Sequence, residues 1–246
     1  MLKLNNDKTE FVIAISPHNK QRMPPVTLQV GSDTIHPSET VRNLGVIVDT
    51  HMTMTSHISS ICSSLNTHLG NITRIRRYLD FDTCNHIIRS LVLSRLDYGN
   101  DLVLGARQAD ISRLQRLQNW SAKLIFRATK YGHASPFLQQ LHWLPVKERI
   151  AFKILLCVFK AINDIAPVYL SSLLTLYSPA RGGLRSSTDV TRLELPKINS
   201  RTLKSAADKT IFFTALSKWN SLPQTIRSTG SLPVFKKGLK SHLFPQ

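Results

Sequence analysis

The sequence predicts a mainly α protein with a small antiparallel β part confined to its first fifty residues. Two observations carry this: apolar residues alternate in short runs as far as Asp49, and from His57 onward they recur at helical spacing. A third concerns size. With 246 residues, 42% apolar and 19% charged, the chain has a globular composition and enough length to bury a substantial core.

The strand-like runs cover residues 10–15, 26–30 and 44–49, divided by the breakers Ser16-Pro17, Pro24-Pro25, Gly31 and Pro37. They are expected to pair as one small sheet. Three short strands make a poor independent unit, so the expectation is that a segment upstream of Met1 completes it.

The first long helix is defined by Ile58, Ile61, Cys62, Leu65, Leu69, Ile72, Ile75 and Leu79 on one face. A second opens with Asp82 as its expected N-cap and carries Ile87, Ile88, Leu91, Val92 and Leu96 before Tyr98-Gly99-Asn100 weakens it. A third, capped near Asp110, presents Ile111, Leu114, Leu117, Trp120, Leu124 and Ile125. Three amphipathic helices on short turns predict a bundle.

The densest apolar block spans residues 114–160, where a turn built on Ser135-Pro136 and Trp143-Leu144-Pro145 leads into another helix. Pro145 suits a helix start because its missing N–H would be unpaired there anyway. Ile150, Ala151, Ile154, Leu155, Val158, Phe159 and Ile162 then mark the buried face, and Lys147, Lys153 and Lys160 the opposite one. A brief helix after Pro167, a linker at 178–187, a short strand at 190–195 and helices at 204–220 and 233–243 follow, the last with Lys236, Lys237 and Lys240 outward. Trp120, Trp143 and Trp219 are all expected to pack in the core. Cys62, Cys84 and Cys157, odd in number and set in apolar helical surroundings, are expected as buried reduced thiols without a disulfide.

Charge is the outlier. Lys and Arg number 32 against 15 Asp and Glu, a formal net charge of +17 spread along the chain, which points first to nucleic acid and second to an anionic membrane surface. No apolar run reaches the ~18–20 residues that span a bilayer. The N-terminal stretch has neither a signal-peptide core nor transit-peptide character, so a soluble intracellular protein is expected.

Arg74, Arg76 and Arg77 lie near the C-terminal end of the first long helix, where complementing the helix dipole accounts for them as well as phosphate contact does. Lys123, Arg127 and Lys130 recur at spacings of three and four, on one face of the third helix, where they either track a sugar-phosphate backbone or form a solvated face. Catalytic constellations are missing from the sequence. The acids are mostly lone, Asp7, Glu10, Asp49, Asp97, Asp101, Glu148 and Glu194 having no DxD or DD pairing among them, and there is no P-loop, GxGxxG, GxSxG elbow, CxxC pair or zinc-spaced Cys/His cluster. No cofactor, metal or small-molecule substrate is therefore expected.

An ordered series of short motifs adds to this reading: Asn6-Asp7-Lys8-Thr9-Glu10, Leu44-Gly45-Val46-Ile47-Val48-Asp49, His57-Ile58, Ser94-Arg95-Leu96-Asp97-Tyr98-Gly99-Asn100, Leu114-Gln115-Arg116-Leu117-Gln118-Asn119, Leu141-His142-Trp143-Leu144-Pro145-Val146, Ala166-Pro167, Leu184-Arg185-Ser186 and Trp219-Asn220-Ser221-Leu222-Pro223. Taken together they resemble the C-terminal part of the reverse transcriptase of jockey-like non-LTR (LINE-type) retrotransposons, over nearly the whole chain.

The resemblance implies that residues 1–52 are a β remnant of the polymerase palm, 53–130 a thumb-like helical bundle, 131–178 a helical connector and 179–246 a basic C-terminal extension. Lys8 matches the palm-motif lysine that faces the nucleotide, and Gly45 the primer-grip hairpin. Gly99 stands where the family commonly has cysteine, and Trp120 where small residues are common. The paired magnesium-binding aspartates would lie before Met1. The chain is thus expected to be a truncated reverse transcriptase fragment, inactive alone, retaining at most sequence-blind RNA/DNA duplex binding, with fingers and palm supplied in trans and a nuclear location. The alternative is a helical protein-interaction module, or a decayed element product, with no nucleic-acid role.

Overall fold

The computed structural model describes residues 9–16, 19, 24–31, 33–129, 131–178, 191–196 and 211–244. Lys8, Lys130 and most of the expected linker lie outside them, as does the start of the helix expected from 204. The described chain is mainly helical with a small antiparallel β part, as the sequence predicts.

The β part differs in detail. It consists of two separate hairpins, β1 (Leu28–Val30) with β2 (Asp33–Ile35) and β3 (Thr40–Asn43) with β4 (Val46–Asp49), rather than one three-stranded sheet. Residues 10–15 run extended beside the second hairpin, Ser38 N–H donating to the Phe11 carbonyl at 2.8 Å and Ile15 N–H to the Thr50 carbonyl at 2.9 Å. The β3–β4 register pairs Asn43 with Val46, which leaves a two-residue loop. Leu44 and Gly45 both take positive φ there, 46° and 83°, the type I′ geometry that matches strand twist.

Helix α1 (Thr55–Ile75) buries Ile58, Cys62, Leu65, Leu69 and Ile72. After a 3-10 turn comes α2 (Phe81–Ile88), whose N-cap is Asp80 and not Asp82: the Asp80 carboxylate accepts from Thr83 N–H at 2.8 Å. A π turn at Arg89–Leu93 then widens the helix before α3 (Ser94–Asp97). That extra residue per turn keeps Ile88, Val92, Leu93 and Leu96 all facing the core. Gly99 makes the following corner at φ +61°, and a Cβ on it would meet Val46 Cγ2 at 3.2 Å, so the position calls for glycine twice over.

Helix α4 (Gln108–Ile125) overturns one expectation. Its inward face is Ile111, Leu114, Leu117, Gln118, Ser121, Ala122 and Ile125, so Trp120 lies outside at 36% exposure. Two polar residues took the core positions because each finds a carbonyl, Gln118 that of Leu144 at 2.9 Å and Ser121 that of Leu117 at 2.8 Å. Trp143 and Trp219 are buried as expected. Cys157 is exposed whereas Cys62 and Cys84 are buried, because Cys157 falls on the edge of its helix rather than in the apolar stripe.

Helix α5 (Ser135–Gln140) and the Trp143-Leu144-Pro145 turn deliver the chain into α6 (Val146–Ile162), with Pro145 as N-cap. Around α6 gather α4, the 3-10 turn Asn100–Val103, α7 (Val168–Ser171), α8 (Ile211–Ser221) and, beyond α9 (Gln224–Arg227), α10 (Leu232–Leu243). Of the strand expected at 190–195, residue 190 lies outside the described residues, and among the described ones a bridge joins Leu176 to Leu193. One buried apolar cluster runs from Val46 to Leu239. Its centre is Phe159 stacked on Phe235 at 4.1 Å, with Trp219 at 5.8 Å from the latter. All three are fully buried, each stabilising the fold by about 1.5–3 kcal/mol or more.

The entry to α6 is held from across the core. Gln115 Oε1 accepts the Val146 N–H at 2.8 Å, its Nε2 donates to Gln118 Oε1 at 3.0 Å, and Gln118 Nε2 donates to the Leu144 carbonyl. Gln118→Ala would leave that carbonyl orphaned beside a new void. It is expected to destabilise the protein by about 2–4 kcal/mol, read from the midpoint of urea unfolding. An unchanged midpoint would show that the network is incidental.

Candidate nucleic-acid interface

The inward rotation of Gln118 and Ser121 aligns a different set of residues outside. Arg113, Arg116, Trp120 and Lys123, spaced at three, four and three, lie on the outer face of α4. Arg113, Arg116 and Trp120 also line a groove of about 310 Å³ against α1, whose other wall includes Cys62 and Asn66.

Arg113 is aimed rather than loose. Its Nη1 donates to Ser59 Oγ at 3.1 Å and to Asp110 Oδ1 at 3.2 Å. The buried Asp110 carboxylate also accepts from Thr55 Oγ1 at 3.2 Å and pairs with Arg107 at 3.5 Å. Arg116 is exposed and makes no hydrogen bond or ion pair among the described residues. Burial pushes the Cys62 thiol up from its ordinary value, with Arg113 and Arg116 pulling the other way. Cys62 is therefore a packed neutral wall of this groove and no nucleophile. A half-exposed indole following Arg113 and Arg116 on the same helix face presents an apolar surface beside cations that can hold phosphates.

The residues singled out from sequence divide. Arg76 is corrected: it is buried, and its guanidinium donates to the carbonyls of Leu124 at 2.6 Å, Leu79 at 2.6 Å and Ile125 at 2.7 Å. It closes the end of α4 by occupying carbonyls that helix geometry leaves without partners, so no phosphate reaches it. Arg74 and Arg77 are exposed, the Arg77 guanidinium 4.5 Å from the Tyr78 ring centroid. Lys123 is half-buried on α4.

Arg127 does not share a helix face with Lys123, since α4 ends at Ile125 and Arg127 takes φ +52° beyond it. Its Nη2 donates to the Leu79 carbonyl at 2.9 Å. Lys130 and Lys8 lie outside the described residues. Gly45 forms the hairpin turn, against which the Tyr98 ring packs while its hydroxyl donates to the Leu44 carbonyl. Arg113 and Arg116 were missed because the expected apolar stripe placed Trp120 inside. Reading Gln118 and Ser121 as inward residues would have exposed all three together.

No family model matches this chain, and neither the curated proteins nor the solved structures yield a match. The site's chemistry therefore rests on its own geometry. Among the described residues no three or more His, Cys, Asp and Glu side chains are grouped to hold a metal ion, and no helix is long and apolar enough to cross a membrane.

Two expectations separate structural cations from surface ones and a buried imidazole from a titrating one. Arg76→Lys, which cannot reach three carbonyls with one ammonium, should cost about 1–3 kcal/mol of stability, whereas Arg77→Ala should leave the thermal midpoint within a degree or two. Equal melting of the two variants would contradict the clamp.

His57 is buried, accepts the Ile47 N–H on Nδ1 at 3.4 Å and has no partner for Nε2. Burial first, and the nearby Arg42 second, lower its pKa from the ordinary 6.5. The unfolded chain thus binds this proton more tightly than the folded one. Stability should fall as pH drops below about 6.5, down to the lowered folded value, and His57→Leu should flatten that dependence in urea melts recorded between pH 7 and 5.

Proposed function

We propose that this chain binds nucleic acid duplex without performing chemistry on it, as the thumb and C-terminal extension of a jockey-like non-LTR retrotransposon reverse transcriptase. The observation that carries this is the outer face of α4, where Trp120 stands half-exposed among Arg113, Arg116 and Lys123 along a groove. The ordered motif series and the +17 charge support it.

In this reading the arginines contact phosphates, the indole lies against the strand, and α1 with α4 forms the rigid platform beneath them. Contacts of this kind position a duplex but read no sequence. The catalytic carboxylates belong to a palm that the chain meets in trans or upstream. Asp97 and Asp101 are each engaged by a cation, Arg149 and Lys153 respectively. The nucleus is the proposed place of action.

The test is fluorescence anisotropy with a labelled RNA–DNA hybrid. Wild type should bind with a steep salt dependence, and the Arg116→Ala/Trp120→Ala pair should weaken binding at least tenfold and flatten the slope by about 0.9 for the one lost phosphate contact. Absence of binding at low salt, or binding indifferent to salt, would favour the alternative of a helical interaction module with no nucleic-acid role.

A further inference from the structure

A second basic groove lies away from α4, between α10 and the turn that precedes α6. It consists of two cavities, about 410 Å³ and about 310 Å³, that share His142 and Lys240 in their walls and so form one trough. The larger is floored by Asn100, Arg149 and Phe152, and the smaller is edged by Lys237 and Phe244.

The charges in this trough sort cleanly. Arg149 holds the Asp97 carboxylate through both Nε, at 2.9 Å, and Nη2. Lys153 pairs with Asp101 at 3.1 Å. These pairs neutralise one another, and they fix the floor to the end of α3. Lys237 and Lys240, one turn apart on α10, are exposed and have no acid partner among the described residues. The net field in the trough is therefore that of two free ammonium groups, facing His142 across it.

One buried group also lacks a partner. Asn100 is only 6% exposed; its Nδ2 donates to Asp97 Oδ1 at 3.3 Å, and its Oδ1 accepts from nothing. An orphaned amide oxygen in a cavity wall costs free energy until an N–H or O–H reaches it. A ligand suited to this trough carries negative charge for the lysines, an apolar ring for Phe152 and Phe244, and a hydrogen-bond donor for Asn100. A nucleotide supplies all three, and its base enters a cavity of this size only when unpaired.

We infer that the trough between α10 and the 141–145 turn is a seat for single-stranded nucleic acid, distinct from the duplex face of α4. Lys237 and Lys240 take successive phosphates and a base lies against Phe244. The inference shares with the proposed function only the class of ligand, since no residue is common to the two sites.

The experiment uses the full chain, a fluorescein-labelled single-stranded RNA decamer and the RNA–DNA hybrid, each titrated by anisotropy across a salt series. Lys237→Ala/Lys240→Ala should weaken the single strand at least tenfold and flatten its salt slope by about 1.4, two contacts at about 0.7 each, while hybrid affinity stays within twofold. Phe244→Ala should weaken the single strand at least about fivefold at unchanged slope.

Single-strand binding that the double variant leaves intact, or single strand and hybrid weakened alike, would overturn the second seat. Displacement of the strand by tripolyphosphate at equal phosphate concentration would also overturn it, by showing a bare anion site with no recognition of bases. Arg116→Ala/Trp120→Ala serves as the counterpart: loss of hybrid binding alone leaves the trough standing, and loss of the trough alone leaves the duplex face standing.

Discussion

The amide chain from Gln115 through Gln118 to the backbone of residues 144 and 146 joins the two parts of the helical core. It acts at the one place where α6 has unpaired backbone donors, its first turn, and supplies an acceptor there from a different helix. Because Gln118 is wholly buried, its amide cannot turn to solvent for a substitute. The direction in which α6 leaves the turn is thereby set by α4. Everything that packs on α6 inherits that direction, including α8, α10 and the corner at Asn100. The exposure of Trp120 follows from the same contact, since turning Gln118 inward turns the indole out.

Electrostatics in this chain is a matter of sorting rather than of total charge. The +17 excess does not describe any one surface. Arg76 closes a helix end, Arg113 is steered by Asp110 and Ser59, and Arg149 and Lys153 weld α6 to the end of α3. What remains outward without an acid partner among the described residues is a smaller set that includes Arg116 on α4 and Lys237 and Lys240 on α10. Composition alone counts the engaged and the available cations equally.

The helices were legible because their apolar periodicity is strong: the inward residues of α6 match the expected stripe almost one for one, and α1 buries Ile58, Cys62, Leu65, Leu69 and Ile72 of its stripe while Ile75, at the helix end, is exposed. The β part was legible in kind and not in pairing. Residues 10–15 alternate like a strand, yet they meet the second hairpin through two separated hydrogen bonds instead of a ladder. Asp80 displaced Asp82 as the cap because both are acceptable residues two positions apart, and backbone geometry alone decides between them. The candidate interface was the least legible part. Its residues could be found only by knowing that a glutamine and a serine occupy core positions, which long-range carbonyl partners make possible and no local pattern announces.

The stacking of Phe159 on Phe235 joins residues far apart in the chain, and that separation has a meaning during synthesis. At ribosomal rates the ring of Phe159 waits about 4–15 s between its own emergence and that of the helix that covers it. Throughout that interval the apolar stripe of α6 has its own first turn in place and no lid. A nascent chain in this condition is an open hydrophobic surface of the sort that chaperones recognise. The timing of translation downstream of α6, more than the intrinsic strength of any helix, then governs how much of the product reaches the folded state.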